Sequence, residues 1–217
     1  MRLAVIIPDR GDRPSLLNNC LRMLEKQTVK PAEILVVDFK PTGEKKDITK
    51  RYRIGYEKLR GKGYDVIAFI ENDDYYSPIY LETMLASWKN HKKPDIFGTT
   101  YTIYYHIGLK KWFTMNHLTR SSAMSTLIKP DLNITWPVDE DPYTDAHLWH
   151  YIKDAVTFTP KTHICLGIKH SIGLCGGANH FNMLDRYAND DEGLDFLASV
   201  MDLDSFNFYT SLLCRST

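Results

Sequence analysis

Three short apolar runs open the chain: Leu3 to Ile7, Ile34 to Val37 and Val66 to Ile70. None alternates with polar residues, so each reads as a strand buried on both faces of a parallel sheet. Between the first two runs the period changes. Leu17, Cys20, Leu21 and Leu24 recur at helical spacing, and Leu16 and Met23 widen the stripe. Pro14 suits the first helical turn, and the stripe stops near Gln27, before Pro31. This is a strand-helix-strand unit, whose crossover is expected to be right-handed. A polar loop with Pro41 and Gly43 precedes a weaker helix over Ile48 to Leu59, closed by Gly61-Lys62-Gly63. Pro78 opens another helix, with Leu81, Met84, Leu85 and Trp88 on one face and Pro94 beyond its end.

From Ile96 the character shifts. Thr99 to Tyr105 is rich in threonine and tyrosine, which favours a strand. Further short strands are predicted at Leu109 to Met115, Ser125 to Ile128, Val156 to Phe158 and Ile164 to Ile168. Asp145 to Tyr151 reads as a helix, with Leu148, Trp149 and Ile152 as its buried face. Two amphipathic stretches follow, through Leu194, Leu197 and Met201 and through Phe206, Tyr209 and Leu213. The pattern predicts an α/β fold: a Rossmann-like, mostly parallel sheet flanked by helices, with a mixed C-terminal extension. One domain over residues 1–217 is expected, in halves 1–95 and 96–217.

Composition narrows the function classes. Lysine plus arginine balances aspartate plus glutamate, 27 against 27, so no global charge argues for nucleic-acid or membrane binding. No apolar run approaches a membrane span, and the N-terminus leads straight into a strand. Cys20, Cys165, Cys175 and Cys214 form no C-x-x-C pair and read as reduced thiols, so a cytoplasmic location is expected.

The chemistry concentrates where the third apolar run stops, at Glu71-Asn72-Asp73-Asp74. Acids at the carboxyl end of a strand lie where open α/β sheets bind ligands. Carboxylates crowded there call for a hard divalent cation. The plainer alternative is that Asp73 or Asp74 caps the next helix.

In order along the chain come Val5-Ile6-Ile7-Pro8, Arg13-Pro14, Gln27-Thr28, Ile34-Leu35-Val36-Val37-Asp38 and Ala68-Phe69-Ile70-Glu71-Asn72-Asp73-Asp74 with Pro78. This ordered set resembles the nucleotide-sugar-binding half of glycosyltransferase family two, which has the GT-A fold. The resemblance covers roughly the first 90 residues well and the rest patchily. It makes residues 1–95 the donor half and 96–217 the acceptor half. It suits a compact phage or bacterial enzyme.

The resemblance implies a nucleoside-diphosphate sugar as donor, with a UDP-sugar favoured. Pro8, Arg10 and Asp38 match positions that hold base and ribose. Phe39 and Lys40-Pro41 depart from the family's acid and glycine-serine there. Arg53, with Arg51, falls where a donor-side arginine often lies; a solvated helix face explains either as well. Glu71-Asn72-Asp73 matches the Asp-x-Asp motif, making Asp73 the leading ligand for Mn²⁺ or Mg²⁺, Asp74 its neighbour and Glu71 a contact to sugar or ribose. Asp145 matches the base of an inverting transferase, although Thr144 replaces the usual glutamate and either residue would also serve as a helix cap. Asp139, Glu140 and Asp141 are competing acids. His170, with His180 in reserve, matches a late metal-binding histidine, and the glycine-rich segment from Gly173 to Gly177 would let backbone amides approach phosphate. A lone surface histidine in a turn is the bland alternative.

His147 and His150 share a helix face, but a zinc site there would need two more ligands, such as His163 and a carboxylate. Tyr101, Tyr104, Tyr105, Trp112, Phe113 and Trp136 are a platform for a sugar or base, or core. The acceptor stays open among a saccharide, a protein and a modified nucleic-acid base; clusters such as Lys89-Lys92-Lys93 and Lys110-Lys111 support the last only weakly. Two rivals remain: a nucleotidyltransferase on a related sheet, and a catalytically inactive nucleotide- or sugar-binding protein, which Glu71 and Thr144 would suit.

Overall fold

Strand β1 (Leu3–Pro8) is the strand on which the first sheet is built. It pairs in parallel with β2 (Glu33–Val37) on one side and β3 (Val66–Phe69) on the other. The computed structural model describes residues 1–41, 46–170 and 184–213. All six residues of β1 are buried, as an unbroken apolar run demands. Successive side chains still point to opposite faces. Leu3, Val5 and Ile7 pack in a cluster with Cys20, Met23 and Leu24 of α1 (Pro14–Glu25) and Met84 and Trp88 of α3 (Tyr80–Asn90). Ala4 and Ile6 pack in a second cluster with Tyr52 and Tyr56 of α2 (Ile48–Leu59).

Helix α2 lies unusually close to the sheet. A Cβ on Gly55 would stand 2.7 Å from Ile6 Cγ2 and 3.1 Å from Val37 Cγ2, so only glycine admits this approach. Arg51, 1% exposed, uses the same closeness. Its guanidinium donates to the carbonyls of Asp9, Val37 (2.8 Å) and Phe39 (2.8 Å) and pairs with Asp47 at 2.7 Å. One buried arginine thus ties the carboxyl ends of β1 and β2 to the helix.

The first sheet runs β2-β1-β3-β8-β5-β9. Here β5 is Ile96–Thr99, β8 is Thr126–Ile128 and β9 is Ala155–Phe158. Strand β8 is antiparallel to both neighbours, and the other pairings are parallel. Three strands from beyond residue 95 therefore complete the sheet begun by the first half. The second sheet runs β11-β7-β6-β10-β4, with β4 Tyr75–Tyr76, β6 Tyr101–His106, β7 Lys111–Asn116, β10 Cys165–Lys169 and β11 Asn189–Asp190.

One predicted strand divides. The threonine- and tyrosine-rich run does not stay in one sheet; it leaves the first at Thr99 and enters the second at Tyr101. Thr100 marks the crossing, its amide bonded to the Phe158 carbonyl at 2.9 Å. Strands β4 and β11 have two residues each, too few to leave a periodic signal. Helix α4 (Thr144–Tyr151) buries Leu148 and Trp149 as expected, whereas Ile152 is its half-buried cap residue. Helices α5 (Asp195–Val200) and α6 (Leu203–Ser211) correspond to the amphipathic stretches near the end. Among the described residues, no helix is long and apolar enough to cross a membrane.

Candidate active site

The carboxyl ends of β1, β3 and β10 open into one cleft of about 430 Å³. Pro8, Arg10 and Arg13 come from the end of β1 and the loop after it. Glu71, Asn72, Asp73 and Asp74 come from the end of β3. Lys169 ends β10, Asp145 lies in the first turn of α4, and Arg120 lines the cleft as well.

The acidic turn is held from two sides. Asn72 donates to Asp9 Oδ1 at 2.6 Å, and Arg13 donates to Asp73 Oδ2 at 2.6 Å and to Asn72 Oδ1 at 3.3 Å. From the second sheet, the Ile168 amide donates to Asp74 Oδ1 at 2.8 Å, and the Tyr76 hydroxyl accepts the Glu71 amide at 2.8 Å. Strand β4 follows the turn at once and pairs antiparallel with β10, which brings Lys169 and His170 beside the acids. His170 is buried, and its Nε2 lies 3.3 Å from Asp73 Oδ2.

One oxygen from each of Glu71, Asp73 and Asp74 lies within 4.8 Å of the others. This all-oxygen set suits a hard cation such as Mg²⁺ or Mn²⁺. Asp74 Oδ2 adds a buried oxygen with no hydrogen-bond partner among the described residues. His170 reaches Asp73 but does not belong to the three-acid group.

The three acids differ electrostatically. Burial pushes the Glu71 carboxyl up to about 7, and the nearby Asp73 charge adds to this. Burial also pushes Asp74 well above the usual carboxylate range, against the pull of Lys169. For Asp73 burial works the same way, but the hydrogen bond from His170 and the charges of Arg13 and Lys169 outweigh it, so its carboxyl stays below the usual range. Asp73 is therefore the acid most firmly held as a carboxylate.

Across the cleft, the Arg120 guanidinium pairs with Asp145 Oδ2. Burial raises the Asp145 carboxyl and Arg120 opposes that rise. Neither Thr144 nor Asp145 occupies the cap of α4. Tyr143 does, without a side-chain cap bond, and the Thr144 hydroxyl is turned to Thr49. Of the competing acids, Asp139 is bound to Arg53, and none of Asp139, Glu140 and Asp141 lines the cleft.

Two expected donor residues lie elsewhere. Asp38 is exposed and does not line the cleft, because Arg51 folds the segment after β2 onto α2, with its guanidinium carbon 4.0 Å from the Phe39 ring centroid. Phe39 therefore packs under that arginine. Arg53 also lies outside the cleft, on the opposite side of α2, clamped by both carboxylate oxygens of Asp139 at 2.9 and 3.0 Å. Of the aromatic set, Tyr104 lines the cleft, whereas Tyr105 and Phe113 are buried in the core. His180 and the glycine-rich segment 173–177 fall outside the described residues.

Arg13, Arg120 and Lys169 were not singled out from sequence as cleft residues. Lys169 carried a usable signal, a charge at the end of an apolar strand, which is the same signal that marks Glu71. Arg120 carried none, since its partner Asp145 is 25 residues away.

No family model matches the chain, and no curated protein matches it in sequence. Solved structures do match in fold. S. aureus TarS 1-349 in complex with UDP-GlcNAc superposes with a TM-score of 0.58 at 12% identity, over 99% of this chain and 72% of that one. The same protein in complex with UDP gives 0.54 at 12% identity, over 99% and 71%. These neighbours have a GT-A-like fold. The chain has a GT-A-type fold. The mostly parallel sheet flanked by helices agrees with the fold expected from the sequence.

Proposed function

We propose that the cleft binds a nucleoside-diphosphate sugar, a UDP-sugar by preference, and transfers the sugar to an acceptor hydroxyl with inversion. The observation that carries this reading is the placement of Glu71, Asp73, Asp74 and Asp145 around one cleft at the carboxyl edge of a GT-A-type sheet. The TarS complexes with UDP-GlcNAc and UDP support the choice of nucleotide.

Pro8 and Arg10 would face the nucleoside, and Arg13 would hold Asp73 in place. Asp145 would take the acceptor proton as the acceptor oxygen attacks the anomeric carbon. The bond from that carbon to the diphosphate breaks, and its electron pair leaves on the phosphate oxygen. Burial, which raises the Asp145 carboxyl, makes it a stronger base than an exposed aspartate, and Arg120 keeps it ionised. Glu71, Asp73 and Asp74 would hold Mn²⁺ or Mg²⁺, with His170 beside Asp73. Such an ion, when bound, offsets the charge that grows on the departing diphosphate.

The test is a donor screen. Common nucleotide sugars are incubated with the protein and Mn²⁺, and released nucleoside diphosphate is measured. The reading expects release from a UDP-sugar; release of pyrophosphate from a triphosphate instead would overturn it.

A further inference from the structure

Lys169, the one charged residue of β10, balances the acidic cluster through space but is bonded to none of its members. It is 7% exposed, and its side chain lines the cleft. Its backbone is fixed, since β10 pairs with β6 and the Lys169 carbonyl accepts the Ile107 amide at 2.9 Å. The ammonium lies 5.1 Å from the centroid of the Tyr104 ring. No carboxylate of a described residue comes within 4.0 Å of it, and it makes no hydrogen bond to any of them. Arg13 shows the contrast: it also faces the acids, and it is locked onto Asp73 at 2.6 Å. A lysine placed only to neutralise the cluster would be paired in the same way. The charges of Asp74, Asp73 and Glu71 outweigh burial and keep the Lys169 ammonium charged, while its hydrogen-bond donors are not taken up by any described residue.

We propose that Lys169 is a fixed phosphate-binding cation, which holds the diphosphate of the donor whether or not a metal ion is present. This rests on the nucleotide-sugar reading and adds a residue to it. Three carboxylates line the same cleft and repel a diphosphate. A metal ion relieves that repulsion only when bound, whereas Lys169 is always there. The Tyr104 ring lies beside the ammonium, and both residues line the cleft. The occupant it fits is a multiply charged oxyanion, and the nucleoside itself gains nothing from it.

The test is titration calorimetry of the full chain with UDP and with uridine, in EDTA and in Mn²⁺. Metal-free wild type is expected to bind UDP about tenfold more tightly than uridine, the worth of one charged hydrogen bond. Lys169→Gln is expected to lose that preference and keep its uridine affinity, and Lys169→Arg to restore most of it. If metal-free wild type binds UDP no better than uridine, the proposal is overturned, whether or not the variants fold. If Lys169→Gln keeps the UDP preference, the proposal is overturned and the nucleotide reading stands. If wild type binds UDP in neither condition, both fall together.

Discussion

Asp74 Oδ1 accepts the backbone amide of Ile168 at 2.8 Å, across 94 residues of chain. This bond joins the acidic turn after β3 to the strand that carries Lys169. It also makes Asp74 a structural residue as well as a member of the carboxylate cluster. Asp74→Ala would leave the buried Ile168 amide without a partner, at a cost of about 1–3 kcal/mol. Asp74→Asn keeps an acceptor oxygen, so its loss is expected to be smaller. Urea unfolding of the two variants beside wild type measures the difference. Equal stability of Asp74→Ala and wild type would show that the amide finds another partner.

Stability is expected to vary with pH through Glu71. Its carboxyl is raised from 4.5 to about 7 in the folded chain, chiefly by burial and then by Asp73. The folded state therefore holds this proton more tightly than the unfolded state. Between those two values, stability falls as pH rises. Asp73 acts in the opposite sense, being held below its ordinary range, and its contribution is lost only as pH falls below that range. Glu71→Gln is predicted to flatten the decline between about pH 5 and about pH 7, measured by urea unfolding without added metal. A decline as steep as that of wild type would assign it to Asp74 instead.

Arg120 is predicted to tune Asp145. Its charge opposes the rise that burial imposes on the Asp145 carboxyl. Arg120→Met removes that opposition, so the carboxyl rises further and less of it is ionised at neutral pH. The acid limb of the transfer-rate profile is then expected to move to higher pH. A profile that falls in amplitude without moving would mean that Arg120 acts only on binding.

Much of the fold was legible because its central strands are buried on both faces. The apolar runs before Pro8, Asp38 and Glu71 mark β1, β2 and β3 almost to the residue. The acidic turn and the start of α4 were legible for a related reason, since each places acids where an apolar element begins or ends. Contacts between distant segments were not legible. Asp38 matched a family position by sequence, but the placement of its segment depends on Arg51 and Phe39. Arg53 looked like a donor residue until Asp139, 86 residues away, claimed it. The break at Thr100 left no trace because both strands it separates share one composition.

The central claim is that one cleft holds the donor and that Asp145 removes the acceptor proton. Asp145→Asn tests it most directly, by UDP titration and by transfer from a UDP-sugar with Mn²⁺. The substitution keeps the size of the side chain and removes its basicity. UDP affinity is expected to stay within about twofold of wild type while transfer falls by about a hundredfold or more, the usual worth of a general base. Unchanged transfer in Asp145→Asn would contradict the account.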